Sequence, residues 1–127
     1  MKTNIKVAIY LDHYRAEVFE YSEHAELIET IESKFNAVEK KKMLLKGESH
    51  MHHKEQDLQQ KFYEALKKVL AKYDAILLFG TTIAKTELFH ILQADHSFAA
   101  KEIILKNTDR LTENQKAAFI NDFFTGL

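Results

Sequence analysis

The sequence contains no cysteine and no apolar run long enough to cross a bilayer, and each absence removes a class of protein. Without cysteine, a disulfide framework and a thiolate metal site are excluded, and the composition is compatible with a reducing compartment. The longest apolar runs, Val7–Leu11 and Ala75–Phe79, fall far short of the ~20 residues of a transmembrane helix. The N-terminus also lacks a signal-peptide cleavage region. We therefore expect a cytoplasmic protein.

The chain also lacks a basic excess. Its formal charge of −1 argues against a general nucleic-acid binder, whose basic footprint would show in the total. The charge is distributed unevenly, however, because residues 34–72 contain ten lysines and five acidic residues. This segment therefore carries +5 and the remainder −6. The length of 127 residues and the hydrophobic content of 46% predict one globular domain, residues 1–127, with one core.

Three histidines, His50, His52 and His53, lie within four positions in the basic segment. They could bind a divalent metal with a nearby acidic residue, contact RNA or a partner, or form a solvated polar tip. A metal site is disfavoured because adjacent histidines point apart, so three of them would converge only in a particular turn. We expect no bound transition metal and no cofactor.

Apolar periodicity predicts three strands followed by alternating helices and strands. The predicted strands are 5–11, 16–21, 26–32, 74–80 and 101–106, with 16–21 alternating as a half-buried strand. The predicted helices are 55–72, one from Thr81 or Thr82 to about Leu92, and one opened by a capping box of Thr112 and Gln115. Residues 33–53 lack strong periodicity and are predicted to be a projecting connection that carries the histidines; a helix over 37–45, ended by Gly47, is the alternative.

The order β-β-β-α-β-α-β-α restricts the possible folds. Strands that alternate with helices imply right-handed crossovers and parallel pairing, while the initial hairpins imply antiparallel pairing. We therefore predict an α/β fold with a mixed five-stranded sheet, its first strand central, and helices on both faces. This is a three-layer ribonuclease H-like sandwich.

Two stretches, "VAIYLDHYRAEVFEY" and "KEQDLQQKFYEALKKVLAKYDAILLFGTTIAKTELFHIL", resemble the central domain of the archaeo-eukaryotic release factors and Pelota, most closely their small bacterial relatives. The resemblance spans nearly the whole chain and implies the same ribonuclease H-like fold. In true release factors, the loop before the long helix carries a Gly-Gly-Gln motif that positions water for hydrolysis of peptidyl-tRNA. Here Gln56 follows Glu55, and the three glycines, Gly47, Gly80 and Gly126, are never adjacent. The resemblance therefore implies a translation-associated domain without the hydrolytic motif, as in Pelota.

The basic segment supplies the candidate binding surface. Lysines neutralise phosphates, and the neighbouring polar residues could make local contacts with RNA. The predicted surface for the ribosome, tRNA or another partner consists of Lys40, Lys41, Lys42, Lys46, His50, His52, His53 and Gln56. A metal-dependent hydrolase or nuclease using the His50 to Asp57 cluster, and a protein-interaction module, are the alternatives.

Two other positions invite a catalytic or ligand-binding interpretation. Asp12 and His13 follow the first strand, where ribonuclease H-type nucleases place a magnesium-binding carboxylate. One carboxylate is insufficient for two-metal chemistry, so we interpret both as hairpin-turn residues. The turn "FGTTIAK" could receive a phosphate at a helix N-terminus, but every capped strand-to-helix turn has these features, and N-capping is the preferred interpretation.

Overall fold

Five strands form one mixed sheet in the order β3-β2-β1-β4-β5. The computed structural model describes residues 5–33 and 48–126, excepting the side chains of residues 48–54. The strands are β1 (Lys6–Leu11), β2 (Arg15–Tyr21), β3 (Ala25–Glu32), β4 (Ala75–Gly80) and β5 (Glu102–Asn107). The first three strands pair antiparallel, whereas β4 is parallel to both β1 and β5. The prediction that the first strand is central is confirmed.

Helices cover both faces of this sheet. They are α1 (Glu48–Leu70), α2 (Ala84–Gln93) and α3 (Glu113–Thr125), with a short 3-10 helix at His96–Phe98. On one face, α1 and α2 pack against Ile9 and Leu78, and on the other α3 packs against Ala8 and Leu77. This arrangement confirms the predicted three-layer α/β fold. None of the described helices is long and apolar enough to cross a membrane.

Because β1, β4 and β5 are parallel, all three end at the same edge of the sheet, which we call the carboxyl edge. Helices α2 and α3 follow β4 and β5 and begin near this edge. The strand β4 ends there at Gly80, whose φ is 152°. A β-carbon on Gly80 would lie 2.6 Å from the carbonyl oxygen of Leu11, so β4 can run this close to β1 only with glycine at this position.

The helix starts agree with the sequence patterns to different degrees. The predicted capping box of α3 is confirmed: Thr112 Oγ1 accepts from the Gln115 N–H at 3.2 Å, and Gln115 Oε1 accepts from the Thr112 N–H at 2.9 Å. At α2 the N-cap residue is Ile83, which makes no side-chain capping bond. Thr82 Oγ1 instead accepts a bond from the Ala84 N–H at 3.2 Å.

One edge of the sheet is formed by β3, which is exposed along most of its length. Leu27 and Ile28 are 46% and 43% exposed. Val18 pairs with Glu29 while Phe19 pairs with Leu27, so Ile28 is an extra residue in a β-bulge. The bulge interrupts the regular alternation of the edge strand.

The start of α1 differs from the prediction. The helix begins at Glu48, not near residue 55, so the residues preceding the predicted helix are themselves helical. The reason is that apolar periodicity detects only the part of a helix that packs on a core. Among the described side chains of α1, the first buried one is Leu58. The alternative helix over 37–45 lies outside the described residues.

Candidate functional site

The N-terminal part of α1 extends past the end of the sheet. At about 1.5 Å per residue, its 23 residues are about 34 Å long. The adjacent six-residue strand β4 spans about 20 Å. The C-terminal residue of α1, Leu70, is fully buried, so the excess length lies at the N-terminal end. Residues 48–57 therefore form a projecting helix end at the carboxyl edge.

The predicted histidines belong to this projecting helix end. His50, His52 and His53 have helical backbone, so the prediction that they lie in a connection before the helix is wrong. Helical register places positions 50, 53 and 57 on one side of α1 and turns position 52 away from them. The histidine side chains, and the predicted lysines Lys40, Lys41, Lys42 and Lys46, lie outside the described residues.

A groove of about 820 Å³ lies between α1 and α2 and begins at Gln56. Three amide side chains, those of Gln56, Gln59 and Gln60, line it from α1, while Ile91 and Ala94 contribute apolar surface from the other side. An amide offers two donors and one acceptor oxygen, so this wall can hydrogen-bond the edge of a nucleobase or a peptide group. Among the predicted site residues, the structure describes the side chain of Gln56 alone, and this side chain is exposed.

A hydrogen-bond network fixes the wall of the groove to the β1–β2 turn. Gln59 Nε2 donates to the carbonyl oxygen of His13 at 3.0 Å. Tyr63 donates to Glu87 Oε1 at 2.6 Å, and His13 Nε2 lies 3.4 Å from the same oxygen. Burial and the bond to Glu87 raise the pKa of the Tyr63 hydroxyl, so it remains a donor in neutral solution. The turn, α1 and α2 are therefore held together at the carboxyl edge.

The groove is also lined by an ion pair, Lys67 with Asp95. Lys67 Nζ lies 2.7 Å from Asp95 Oδ2, and this bond, together with bonds from Ser97, lowers the pKa of the Asp95 carboxyl. The same pair raises the pKa of Lys67. Both groups are therefore charged in neutral solution and balance each other. Glu64 and His96 also line the groove, so a ligand would meet amide and apolar groups together with one exposed carboxylate.

A second cavity, of about 400 Å³, lies at the carboxyl edge beside a buried ion pair. Lys116 Nζ lies 2.6 Å from Glu17 Oε1 and 2.7 Å from Glu113 Oε1, and 4.5 Å from the centre of the Tyr10 ring. Burial lowers the pKa of Lys116, but the bonds to Glu113 and Glu17 outweigh this and raise it. β2 is covered on both faces instead of being half-buried as predicted, because α3 packs on Phe19 and Tyr21 and its Lys116 pairs with Glu17.

The carboxylates next to β1 have structural roles. Asp12 Oδ1 accepts the N–H groups of Tyr14 and Arg15 at 2.7 and 2.9 Å, which confirms its interpretation as a hairpin-turn residue. Glu17 is bound by Lys116 and, at 3.3 Å, by Arg15. Within the described residues, no group of three histidine, aspartate or glutamate side chains could hold a metal ion. In the His50 to Asp57 cluster, Asp57 pairs with Lys61 at 3.3 Å.

Comparison with known proteins identifies the fold. No family model and no curated protein sequence matches the chain. Pelota from Archaeoglobus fulgidus aligns with 99% of this chain at a TM-score of 0.62 and 11% identity. Pelota from Thermoplasma acidophilum aligns with 93% at 0.61 and 13% identity, and an archaeal translation termination factor with 94% at 0.51 and 13% identity. The chain has a Pelota-like domain fold. It corresponds to 32% to 34% of the length of these proteins.

Several residues of these sites were not predicted from the sequence. Gln59 and Tyr63 belong to the predicted helix, but their partners come from the hairpin turn and from α2. Glu17 and Lys116 are separated by 99 positions, and no local pattern connects them. The composition contains one signal that could have indicated the second cavity. The chain has only two arginines, Arg15 and Arg110, and both line this cavity.

Proposed function

We propose that this chain is a translation-associated binding domain, a small relative of the Pelota and release-factor domain, that contacts ribosomal or transfer RNA in the cytoplasm. The observation that carries the proposal is the projecting helix end of α1. Its backbone includes positions 50, 52 and 53, and it directly follows the most lysine-rich part of the chain. The similarity of the fold to domains of Pelota proteins and of a translation termination factor supports the same assignment.

The proposed binding surface combines two kinds of contact. Lys40, Lys41, Lys42 and Lys46 would neutralise phosphates, which gives affinity without sequence preference. The projecting helix end and the amide-lined groove, beginning at Gln56, would contact unpaired bases, whose edges offer donors and acceptors to amide groups. Charge and amide contacts should respond differently to salt, so the two parts of the surface can be tested separately.

The proposal does not include hydrolysis of peptidyl-tRNA. Gln56 lies within the helix α1, where it follows Glu55, and the chain has no pair of adjacent glycines. A glutamine in helical backbone has no flexible glycine loop to bring it to an ester bond. Binding without release chemistry is therefore the expected activity.

Co-sedimentation with ribosomes over a range of potassium chloride concentrations tests the lysines. Replacing Lys41 and Lys42 by glutamine should weaken binding. It should also reduce the slope of log affinity against log salt by about 1.4 to 1.8, at about 0.7 to 0.9 per contacted phosphate. The matched control replaces Lys6 and Lys106, which lie in β1 and β5, outside the basic segment. An equal loss in both double variants, or no association of the wild type at low salt, would replace this proposal by a protein-interaction module.

The amide groups of the groove need a separate variant. Replacing Gln56 and Gln60 by alanine should lower the affinity for ribosomes or tRNA while leaving the salt slope unchanged, because no charge is removed. Both side chains are exposed, so the fold should be unaffected. Unchanged affinity would exclude Gln56 and Gln60 from the RNA contact and limit it to the lysines and residues 48–55 of the projecting helix end.

A metal-dependent hydrolase is a second candidate, because helical register places positions 50, 53 and 57 on one side of α1. We expect that protein purified without a histidine tag contains no stoichiometric transition metal by elemental analysis. About one zinc per chain that is lost on replacement of His50 and His53 by alanine would favour the hydrolase. Zinc that persists in this variant would be bound elsewhere and would support neither candidate.

A further inference from the structure

The two arginines of this chain converge on one cavity. Arg15 begins β2, and Arg110 lies in the connection between β5 and α3, yet both line the second cavity at the carboxyl edge. The other sixteen basic residues are lysines. The planar guanidinium group offers five N–H donors in a fixed arrangement that matches the oxygens of phosphate and carboxylate groups. The cavity therefore concentrates the chain's entire capacity for this type of recognition.

Donors enter the cavity from three separate connections. Arg15 comes from the β1–β2 hairpin, Thr81 and Thr82 from the turn after β4, and Arg110 from the connection after β5. Ligands of open α/β sheets commonly bind at the carboxyl ends of parallel strands, which is the position of this cavity. Its volume of about 400 Å³ lies within the range of roughly 300 to 1,000 Å³ that is usual for small-molecule sites.

The carboxylates around the cavity are already bound within the protein. Lys116 is the shared counterion of Glu17 and Glu113, and the second Glu17 oxygen accepts a bond from Arg15. Asp12 accepts the two N–H groups of the hairpin turn. These bonds reduce the repulsion that an incoming anion would otherwise meet.

Several donors remain available to a ligand. Arg110 makes no hydrogen bond or ion pair with the residues that the structure describes. Arg15 uses one of its nitrogens for Glu17, and its side chain is 54% exposed. In the same described part of the chain, the Thr81 hydroxyl has no bonding partner. The free donors of the cavity thus belong to two cations and one hydroxyl, a set suited to an anion.

We propose that this cavity binds a phosphoryl group, held by Arg15 and Arg110 with Thr81 as a further donor. A phosphoryl group has three terminal oxygens in tetrahedral directions, which suits donors arriving from three connections. A carboxylate, by contrast, presents two oxygens in one plane. The ligand is either free phosphate or the phosphate of a nucleotide, and the site is independent of the proposed ribosome contact.

Nuclear magnetic resonance can observe the two arginines directly, because the spectrum of a ¹⁵N-labelled sample contains only two arginine Nε–Hε signals. We expect inorganic phosphate and adenosine 5′-monophosphate, each added at constant ionic strength, to shift both signals saturably. Adenosine, which lacks the phosphate, should shift neither. Equal affinities for phosphate and the nucleotide would indicate recognition of the phosphoryl group alone, and tighter nucleotide binding would indicate that the base and sugar are also held.

Calorimetric titration of variants gives the quantitative test. Arg110→Gln should weaken phosphate binding at least tenfold, and Arg110→Lys, which keeps the charge but loses the planar donor group, at least threefold. Arg110 is exposed and makes no bond to the described residues, so both variants should fold. The control Lys106→Gln removes one exposed positive charge outside the cavity and should change affinity less than twofold. The proposal is refuted if Arg110→Gln binds phosphate as the wild type does, if Lys106→Gln weakens it equally, or if adenosine shifts the arginine signals.

Discussion

Replacing Lys116 by methionine should destabilise the protein by about 3 kcal/mol. The side chains of Lys116 and Glu17 are only 9% and 6% exposed, and their charged atoms lie 2.6 Å apart. Removing one partner of a buried pair typically costs about 3 to 5 kcal/mol, because the other charge is left unpaired and poorly hydrated. Glu17 retains Arg15 at 3.3 Å, which places the expected loss at the lower end of this range.

Urea denaturation followed by far-ultraviolet circular dichroism measures this loss, since the chain has no tryptophan for fluorescence. The matched control is Lys61→Met, which breaks the exposed pair with Asp57 and should cost about 0.3 to 0.5 kcal/mol. The double variant Glu17→Met with Lys116→Met removes both buried charges and should recover to within about 1 kcal/mol of the wild type. If Lys116→Met costs no more than Lys61→Met, the reasoning about the buried pair is wrong.

Three further predictions concern the core and its titrating groups. Gly80→Ala should cost about 2 to 3 kcal/mol in urea denaturation, because the added β-carbon would meet the Leu11 carbonyl oxygen at a positive φ; an unchanged midpoint would contradict this. Tyr63 and Tyr73 have raised pKa values, mainly through burial, so both should stay protonated at pH 11 in a spectrophotometric titration. Stability should fall as the pH rises above 10, because these tyrosines ionise in the unfolded chain before they ionise in the folded protein. Burial lowers the pKa of Lys85, so its contribution to stability should rise with pH below 10, before the tyrosines ionise. Thermal denaturation between pH 8 and 10 should therefore show the wild type gaining stability relative to Lys85→Met as the pH rises, and a constant difference would contradict this.

The strands and the fold could be predicted because their signals are local. The two apolar runs became the central strands β1 and β4, and the pair Thr112 and Gln115 formed the predicted capping box. The order of strands and helices then left few topologies, and the observed sheet is mixed and five-stranded with β1 at its centre, as predicted. Each of these inferences depended on residues close together in the chain.

The candidate sites could be predicted only in part, because they are assembled by tertiary contacts. The start of α1 was missed since residues 48–57 extend past the core and carry no apolar stripe. The burial of Glu17 depends on Lys116, and the convergence of the two arginines depends on the shared carboxyl edge of β1, β4 and β5. Composition revealed the basic segment, but not the groove that begins beside it.

The exposed edge strand has a consequence for the behaviour of the protein at high concentration. Open strands invite pairing with a second molecule, a route to fibrils. In β3, Glu26, Glu29 and Glu32 would bring like charges together across such a pairing, and the bulge at Ile28 would break its hydrogen-bond register. The charges and the bulge therefore oppose pairing of a second molecule with this edge of the sheet, even though Leu27 and Ile28 are exposed. We therefore expect the protein to stay soluble at high concentration. Replacing the glutamates of β3 by neutral residues should lower its solubility and make it prone to aggregation.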